Sequence, residues 1–372
     1  MRTQPSSVEY WGAFFGGAGG PYAPQTSPFK VTLPGTVAEV GSSNSTEYAL
    51  LTNGTLYAWG LGDKGELGNG SLQNSLTKPV RVRFPRGVRI WSIPTDAMPY
   101  DTGLAIDTTG RAWGWGDNFG GELCLGNTKV HATPVELRFA HVTLVAGANN
   151  HALYDSNGNV YACGWNAAGD LGTGSWHSAM KPARVVGLDG SKVTRLVASF
   201  ANSGALLSNG QYYDWGYDGA GQLGDGRINK KADVPVRVKL PYRVTQIAQG
   251  GSIWSNGQTL AMLSNGSLWG WGNNRACQLG SVAPKAVPTP VRVLQHPGFV
   301  ALATGSATAY GISKANGAVY AWGANHLGQV GYGTAQTVCT PVQVVPSGAT
   351  EISSTANNVV VSTPGPVPPL GG

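Results

Sequence analysis

Charge is scarce in this chain. Asp, Glu, Lys and Arg together make up 12% of the 372 residues, about half the usual quarter, and no long run of helix-forming residues exists to build an exposed helix. The 25 bases against 19 acids give a formal charge of +6, a modest field for this size. Cysteine is scarce too. Cys124, Cys163, Cys277 and Cys339 form no C-x-x-C pair, and their wide spacing reads as four separate buried or half-buried thiols rather than a metal or redox site. No window approaches 18 uninterrupted apolar residues, so no membrane span is expected. The opening residues 1–17 hold no apolar core ahead of a small-residue cleavage site, so no secretory signal is read there. The six histidines make no H-x-x-x-H pair, and no H-E-x-x-H, calcium loop or G-x-S-x-G elbow occurs. From these absences we expect no catalytic residues, no cofactor-binding residues, no metal ligands and no small-molecule substrate.

What is abundant is glycine, 55 residues, with 12 tryptophans. Residues 56–70, LYAWGLGDKGELGNG, place Gly60, Gly62 and Gly65 in G-x-G-x-x-G order, which after a strand suggests a dinucleotide turn. No helix-forming run follows, and an internal repeat supplies another reason for the glycines. An aromatic-Gly pair closes a short apolar run at Trp11, Trp59, Trp115, Trp215, Trp271 and Trp322, with Cys163-Gly164 standing in once. Each of the seven is followed 17 to 20 residues later by a Pro at the head of a β-patterned run: Pro28, Pro79, Pro134, Pro182, Pro235, Pro290 and Pro341. Between anchors lie two further β-patterned runs and an Asn-Gly turn, as at Asn53-Gly54, Asn157-Gly158, Asn209-Gly210, Asn265-Gly266 and Asn316-Gly317; Asn-Gly suits a two-residue hairpin. Each unit reads as four strands beginning with the Pro-led run.

Seven such units predict an all-β fold, a seven-bladed β-propeller of four-stranded antiparallel blades in a single domain over 1–363, with a Pro/Gly-rich tail at 364–372. Radial closure protects the sheet edges. The last copy lacks its fourth strand and the N-terminus begins with an orphan one, VEYWG. The ring is therefore expected to close by residues 8–12 pairing with residues 358–362.

The unit resembles the regulator of chromosome condensation repeat, clearest at residues 52–70, 208–226, 264–280 and 315–333. The resemblance implies the seven-bladed ring. For function it implies less, because that family includes an exchange factor for a small GTPase, a plant UV-B photoreceptor and a secreted inhibitor of β-lactamases. The exchange factor's long projecting wedge has no counterpart here, since anchors are never more than 56 residues apart.

The anchor tryptophans read as packing between blades. The residues seven after each anchor, Glu66, Glu122, Asp170, Gln222, Gln278 and Gln329, interchange acid and amide, which suits loop hydrogen bonding and not proton transfer. Binding is expected on the face carrying the variable loops, whose widest departures are residues 91–103 and 250–258. Candidate partner contacts are Trp91, Met98, Tyr100, Phe119, Trp176, Phe200, Tyr217, Trp254 and His326. Two basic runs, Lys78 to Arg89 and Arg227 to Arg243, read as solvated outer strands, so no nucleic-acid partner is expected. The function these observations imply is a non-enzymatic protein-interaction or assembly propeller of bacterial or bacteriophage origin, with virion proteins among its expected partners and the virion or cytoplasm as its place. The alternative is a soluble regulator, either an exchange factor or a protein inhibitor of an enzyme. If the closure is right, deleting residues 1–12 abolishes the single cooperative thermal transition; a melt unchanged by that deletion rules it out.

Overall fold

The computed structural model describes residues 7–363 except 14–24, 45, 96–97, 189, 229, 253–256 and 281–284. Seven four-stranded antiparallel sheets form a ring, with no helix among the described residues. Blade one comprises Val37–Ser42, Thr46–Leu51, Leu56–Gly60 and Ser75–Arg81. The first strands of blades three, four, five, six, seven and one touch in turn around the axis. Second strands such as Thr46–Leu51 and Gln258–Leu263 are buried along their whole length, because blades cover both of their faces. Outer strands are largely exposed.

Closure follows the expected register, with Val8 opposite Ser362 and Gly12 opposite Asn358. The strand count at the seam differs. Gln25–Thr32 pairs outside Ser7–Gly12, so the N-terminus supplies two strands of blade seven and the C-terminus two. This corrects the phase of the repeat. The Pro-led run is not the first strand of a unit but the outer strand of the preceding blade, Arg81 lying opposite Tyr57 and Val80 opposite Ala58. The loop after each Trp-Gly pair folds back on the same sheet, and the chain crosses to the next blade only after the Pro-led strand.

The anchors hold blade to blade. The indole N–H groups of Trp115, Trp215, Trp271, Trp322 and Trp11 donate to the backbone carbonyls of Glu66, Asp170, Gln222, Gln278 and Gln329 in the preceding blade, at 2.8 to 3.0 Å. All five indoles are fully buried, so each bond removes a donor that would otherwise be stranded. For Trp59 the corresponding loop includes residues outside the described ones. The side chains of the same carbonyl residues turn back to the N–H two residues earlier, as Gln222 does to Ala220 at 2.7 Å and Glu66 to Lys64 at 2.8 Å. The expected loop role of these acids and amides is thus their observed role.

Glycines serve this geometry. Two residues after four of the five carbonyl residues stand Gly68, Gly172, Gly224 and Gly331 at positive φ, where a Cβ would meet the next blade's indole at 2.6 to 3.0 Å. Gly65 is likewise crowded by Ala132 of the next blade, 2.8 Å from where a Cβ would stand. The G-x-G-x-x-G order at 60–65 is turn chemistry, as expected. The hairpin expectation needs refinement: only Asn157-Gly158 is a two-residue turn with both residues at positive φ. At Asn53-Gly54 the Gly54 N–H bonds Leu51 O and Leu51 N–H bonds Thr55 O, a longer loop with glycine alone in the left-handed region.

The four thiols are a correction, for they form two disulfides, Cys124–Cys163 and Cys277–Cys339. Both span blade boundaries. Cys124, at φ 58°, occupies the position of Gly68, and Cys163 that of the next blade's tryptophan. At this boundary the carbonyl of Glu122 receives the Tyr154 hydroxyl instead, at 2.8 Å. Cys277, at φ 61°, takes the position of Gly65, and Cys339 lies in the next blade's outer strand. Reduction, or Cys163→Ser, should lower stability by about 3 kcal/mol, read by thermal melting with and without reductant. An intact mass showing four free thiols in the native protein would contradict the pairing.

Candidate partner-binding site

One face of the ring carries the turns joining first to second strands and the loops joining third to outer strands; the other carries the hairpins. On the loop face a buried Asn or Asp clamps the long loops of blades two to six. Asn166 Oδ1 accepts the Leu171 N–H at 2.9 Å while its amide donates to Ser175 O, and Asn118, Asp218, Asn274 and Asn325 accept equivalent N–H groups. The loops are therefore a rigid platform.

A cavity of about 330 Å³ opens on this platform where blades three and four meet. Trp165, Phe200 and Tyr217 wall it, Asp170 and Asn202 lie at its base among buried groups, and Lys231 stands exposed at its rim. Phe119, 62% exposed, lies edge-on to Trp165 with ring centroids 5.5 Å apart. An apolar pocket with few polar groups is the usual form of a side-chain or ligand receptor.

Of the residues expected to meet a partner, the fold brings Phe200 and Tyr217 together in this cavity and Phe119 beside it. Tyr100, half-buried, is tied to it through its N–H, which donates to Asn149 O in the cavity wall at 2.7 Å. Trp176 and His326 are exposed on the loop face away from the cavity lining. Met98 is a correction. It is fully buried, its methyl packed where a Cβ on Gly41 would lie, in a blade whose inner strand, Ile90–Ser92, is shorter than those of the other blades. Trp91 is a second correction, since it belongs to the short strand Ile90–Ser92 whose residues pair near the 107–111 turn, on the hairpin face. Trp254 lies outside the described residues. Trp165, Asp170 and Lys231 escaped the sequence reading. The signal for Trp165 was its place two residues after the one anchor that is not tryptophan.

Ser203, His151 and Asp170 meet beneath the cavity, three residue types that elsewhere hydrolyse esters. Here all three are buried beneath the surface of the ring. The Ser203 hydroxyl reaches the Asp170 backbone carbonyl at 2.7 Å and lies 3.0 Å from His151 Nε2; when it donates to the carbonyl, a protonated Nε2 donates to Ser203 Oγ. Asp170 Oδ2 is 3.7 Å from His151 Nδ1. Burial lowers the pKa of His151 and raises that of Asp170, each effect partly offset by the other's charge. The group is a structural network under the site.

Burial also pushes Glu66 up to about 8, with help from Asp101, and Glu122 up to about 7, with help from Asp117. Groups protonated in the fold but ionised when unfolded favour folding as pH falls. Melting temperature should therefore rise between about pH 9 and pH 7, before neutral His151 begins to oppose the trend below its unfolded value near 6.5. Glu66→Gln with Glu122→Gln, the residue type used at this place in three other blades, should flatten that slope and raise the melting temperature at about pH 9 by roughly 2–4 °C. An unaltered slope in the double variant would show that these carboxyls do not cause it.

Comparison with known proteins agrees with this geometry. The model for the Regulator of chromosome condensation (RCC1) repeat matches residues 53–93, 157–203, 209–253, 265–309 and 316–361. The chain is 29% identical over 286 residues to the ultraviolet-B receptor UVR8 of Arabidopsis thaliana, covering 75% of this chain and 62% of the receptor. It is 28% identical over 303 residues to the human E3 ubiquitin-protein ligase HERC2, covering 78% of this chain and 6% of the ligase. It thus spans less than two thirds of either relative. The crystal structure of Prp20p from Saccharomyces cerevisiae superposes with a TM-score of 0.82 at 20% identity, covering 98% of this chain and 93% of that one, which speaks for the fold alone.

Proposed function

The chain belongs to the RCC1 repeat family, and on that premise we propose that it is a non-enzymatic protein-interaction propeller that receives a partner's apolar or aromatic side chain in the cavity between blades three and four. The observation that carries this reading is the meeting of Trp165, Phe200 and Tyr217 around one recess on the clamped loop face. Aromatic residues in a recess are the usual anchors of an interface. Asp170 and Asn202 supply hydrogen-bonding groups that would orient the incoming side chain, and Lys231, which already donates to Ala167 O at 3.2 Å, marks the rim.

Protein binding is also what the yeast relative does: Prp20p is described with its binding to Gsp1p and histones. An activity of HERC2 is not carried over from a match to 6% of its length. The burial of Ser203, His151 and Asp170 beneath the surface weighs on the same side. Two disulfides persist best in oxidising surroundings, which favours a place outside the cytoplasm.

The test is affinity purification of the tagged chain from its native cells beside a Trp165→Ala, Tyr217→Ala variant. A partner should be recovered in fixed stoichiometry with the wild type and bind the variant at least about 30-fold more weakly, the size of a central hot spot, while the variant's melting temperature stays close to wild type. Full retention of the partner by the variant would move the interface elsewhere. Recovery with a sedimenting particle identifies an assembly component, a virion protein included; recovery of one soluble protein identifies a regulator.

A further inference from the structure

The hairpin face carries a second recess, unlike the first. A cavity of about 520 Å³ at the edge of blade one is walled by Arg81, Arg83 and Arg86, by Phe84 and Pro85, and by the backbone of the hairpin at Gly54 and Thr55. No carboxylate lines it. Arg81 and Arg83 alternate along the outer strand and its extension, and Arg86 joins them from the turn in which Val88 N–H closes on Pro85 O. These three guanidinium groups are exposed and have no ion pair or hydrogen bond among the described residues. Four other arginines are engaged: Arg111 with Asp107, Arg184 with Asn159, Arg195 with Gln246 and Arg243 with Ser208 O.

The short strand Ile90–Ser92, bonded to the hairpin that walls the recess, carries an exposed indole. Gly54 accepts the N–H of Ile90, and a Cβ on Gly54 would stand 3.2 Å from the Cβ of Arg89, itself exposed. The next residue after Ile90 is Trp91, 63% exposed. Outer-strand charge that deters edge pairing accounts for Arg81 and Arg83. It does not account for Arg86 and Arg89 gathering about the same hairpin, nor for a tryptophan left in water one residue beyond Ile90, whose N–H bonds that hairpin.

We propose that this edge binds a single-stranded nucleic acid, with Arg81, Arg83 and Arg86 taking phosphate oxygens in the recess and Trp91 stacking on a base. Guanidinium forks match phosphate oxygens in pairs, and a cationic track beside an aromatic platform is how single strands are held without sequence preference. An acidic peptide would satisfy the arginines but leave the indole uncovered. The proposal revises the expectation of merely solvated strands and is independent of the loop-face site.

The probe is a fluorescein-labelled oligothymidylate, titrated with the full oxidised chain and read by anisotropy and by quenching of tryptophan fluorescence. With three phosphates neutralised, raising salt from about 50 to about 200 mM should weaken binding about 20-fold. Arg86→Glu alone should weaken it severalfold, and Arg81→Glu, Arg83→Glu, Arg86→Glu together at least about 30-fold. Trp91→Ala should abolish the quenching and weaken binding by about 5-fold or more. All these side chains are exposed, and unchanged melting of each variant shows that the fold is intact. No binding at low salt, indifference to the arginine variants, or displacement by polyglutamate with Trp91→Ala silent would overturn the proposal, the last in favour of an acidic protein.

Discussion

The ring depends on one hydrogen bond made again and again across blade boundaries, from a buried indole N–H to the carbonyl of an acid or amide in the blade before. Around that bond the neighbouring choices follow. The carbonyl residue must sit in a tight turn, so its own side chain reaches back to an N–H two residues earlier, which an amide or a carboxylate does equally well. The residue two further on must leave room for the indole, and its left-handed backbone favours glycine. A repeat that looks like a nucleotide motif is the trace of these three demands on one short loop.

Much of this was legible because it is periodic. The anchors at Trp59, Trp115 and Trp271 and the pairing of residues 8–12 with the C-terminal strand are statements about spacing, and spacing survives in a sequence. The phase of the Pro-led strand was not legible, since a run lying between two landmarks can hydrogen-bond to either side and only the returning loop decides. The disulfides were hidden because Cys124 and Cys163 are 39 residues apart along the chain but neighbours across a boundary. Met98 and Trp91 were misplaced for a related reason. A shortened inner strand, Ile90–Ser92, put one at the hairpin end, and the other is buried in the core.

The loop face was legible as the face of the variable loops, but its recess was not. Phe200 and Tyr217 stood out as aromatics in variable loops, yet what makes them a recess is Trp165 and Asp170 from the adjacent blade, and adjacency of blades three and four has no local signature. The same limit applied to the arginines of blade one. Alternation along the strand gives Arg81 and Arg83 a common side; that Arg86 and the Gly54 hairpin close a cavity about them is a property of the folded edge.

Blade three ties the scaffold to the recess on the loop face. It is the blade whose anchor is cysteine, and it is the blade that presents an indole two residues later at the mouth of the cavity. In the other blades a buried tryptophan at the anchor joins two sheets. Here the Cys124–Cys163 bridge and the Tyr154 hydroxyl on Glu122 O hold that boundary, so Trp165 can stand 43% exposed against Phe119. One substitution of linkage thus keeps the ring closed and leaves aromatic surface on the platform, and the irregular copy in the repeat is the one beside the site.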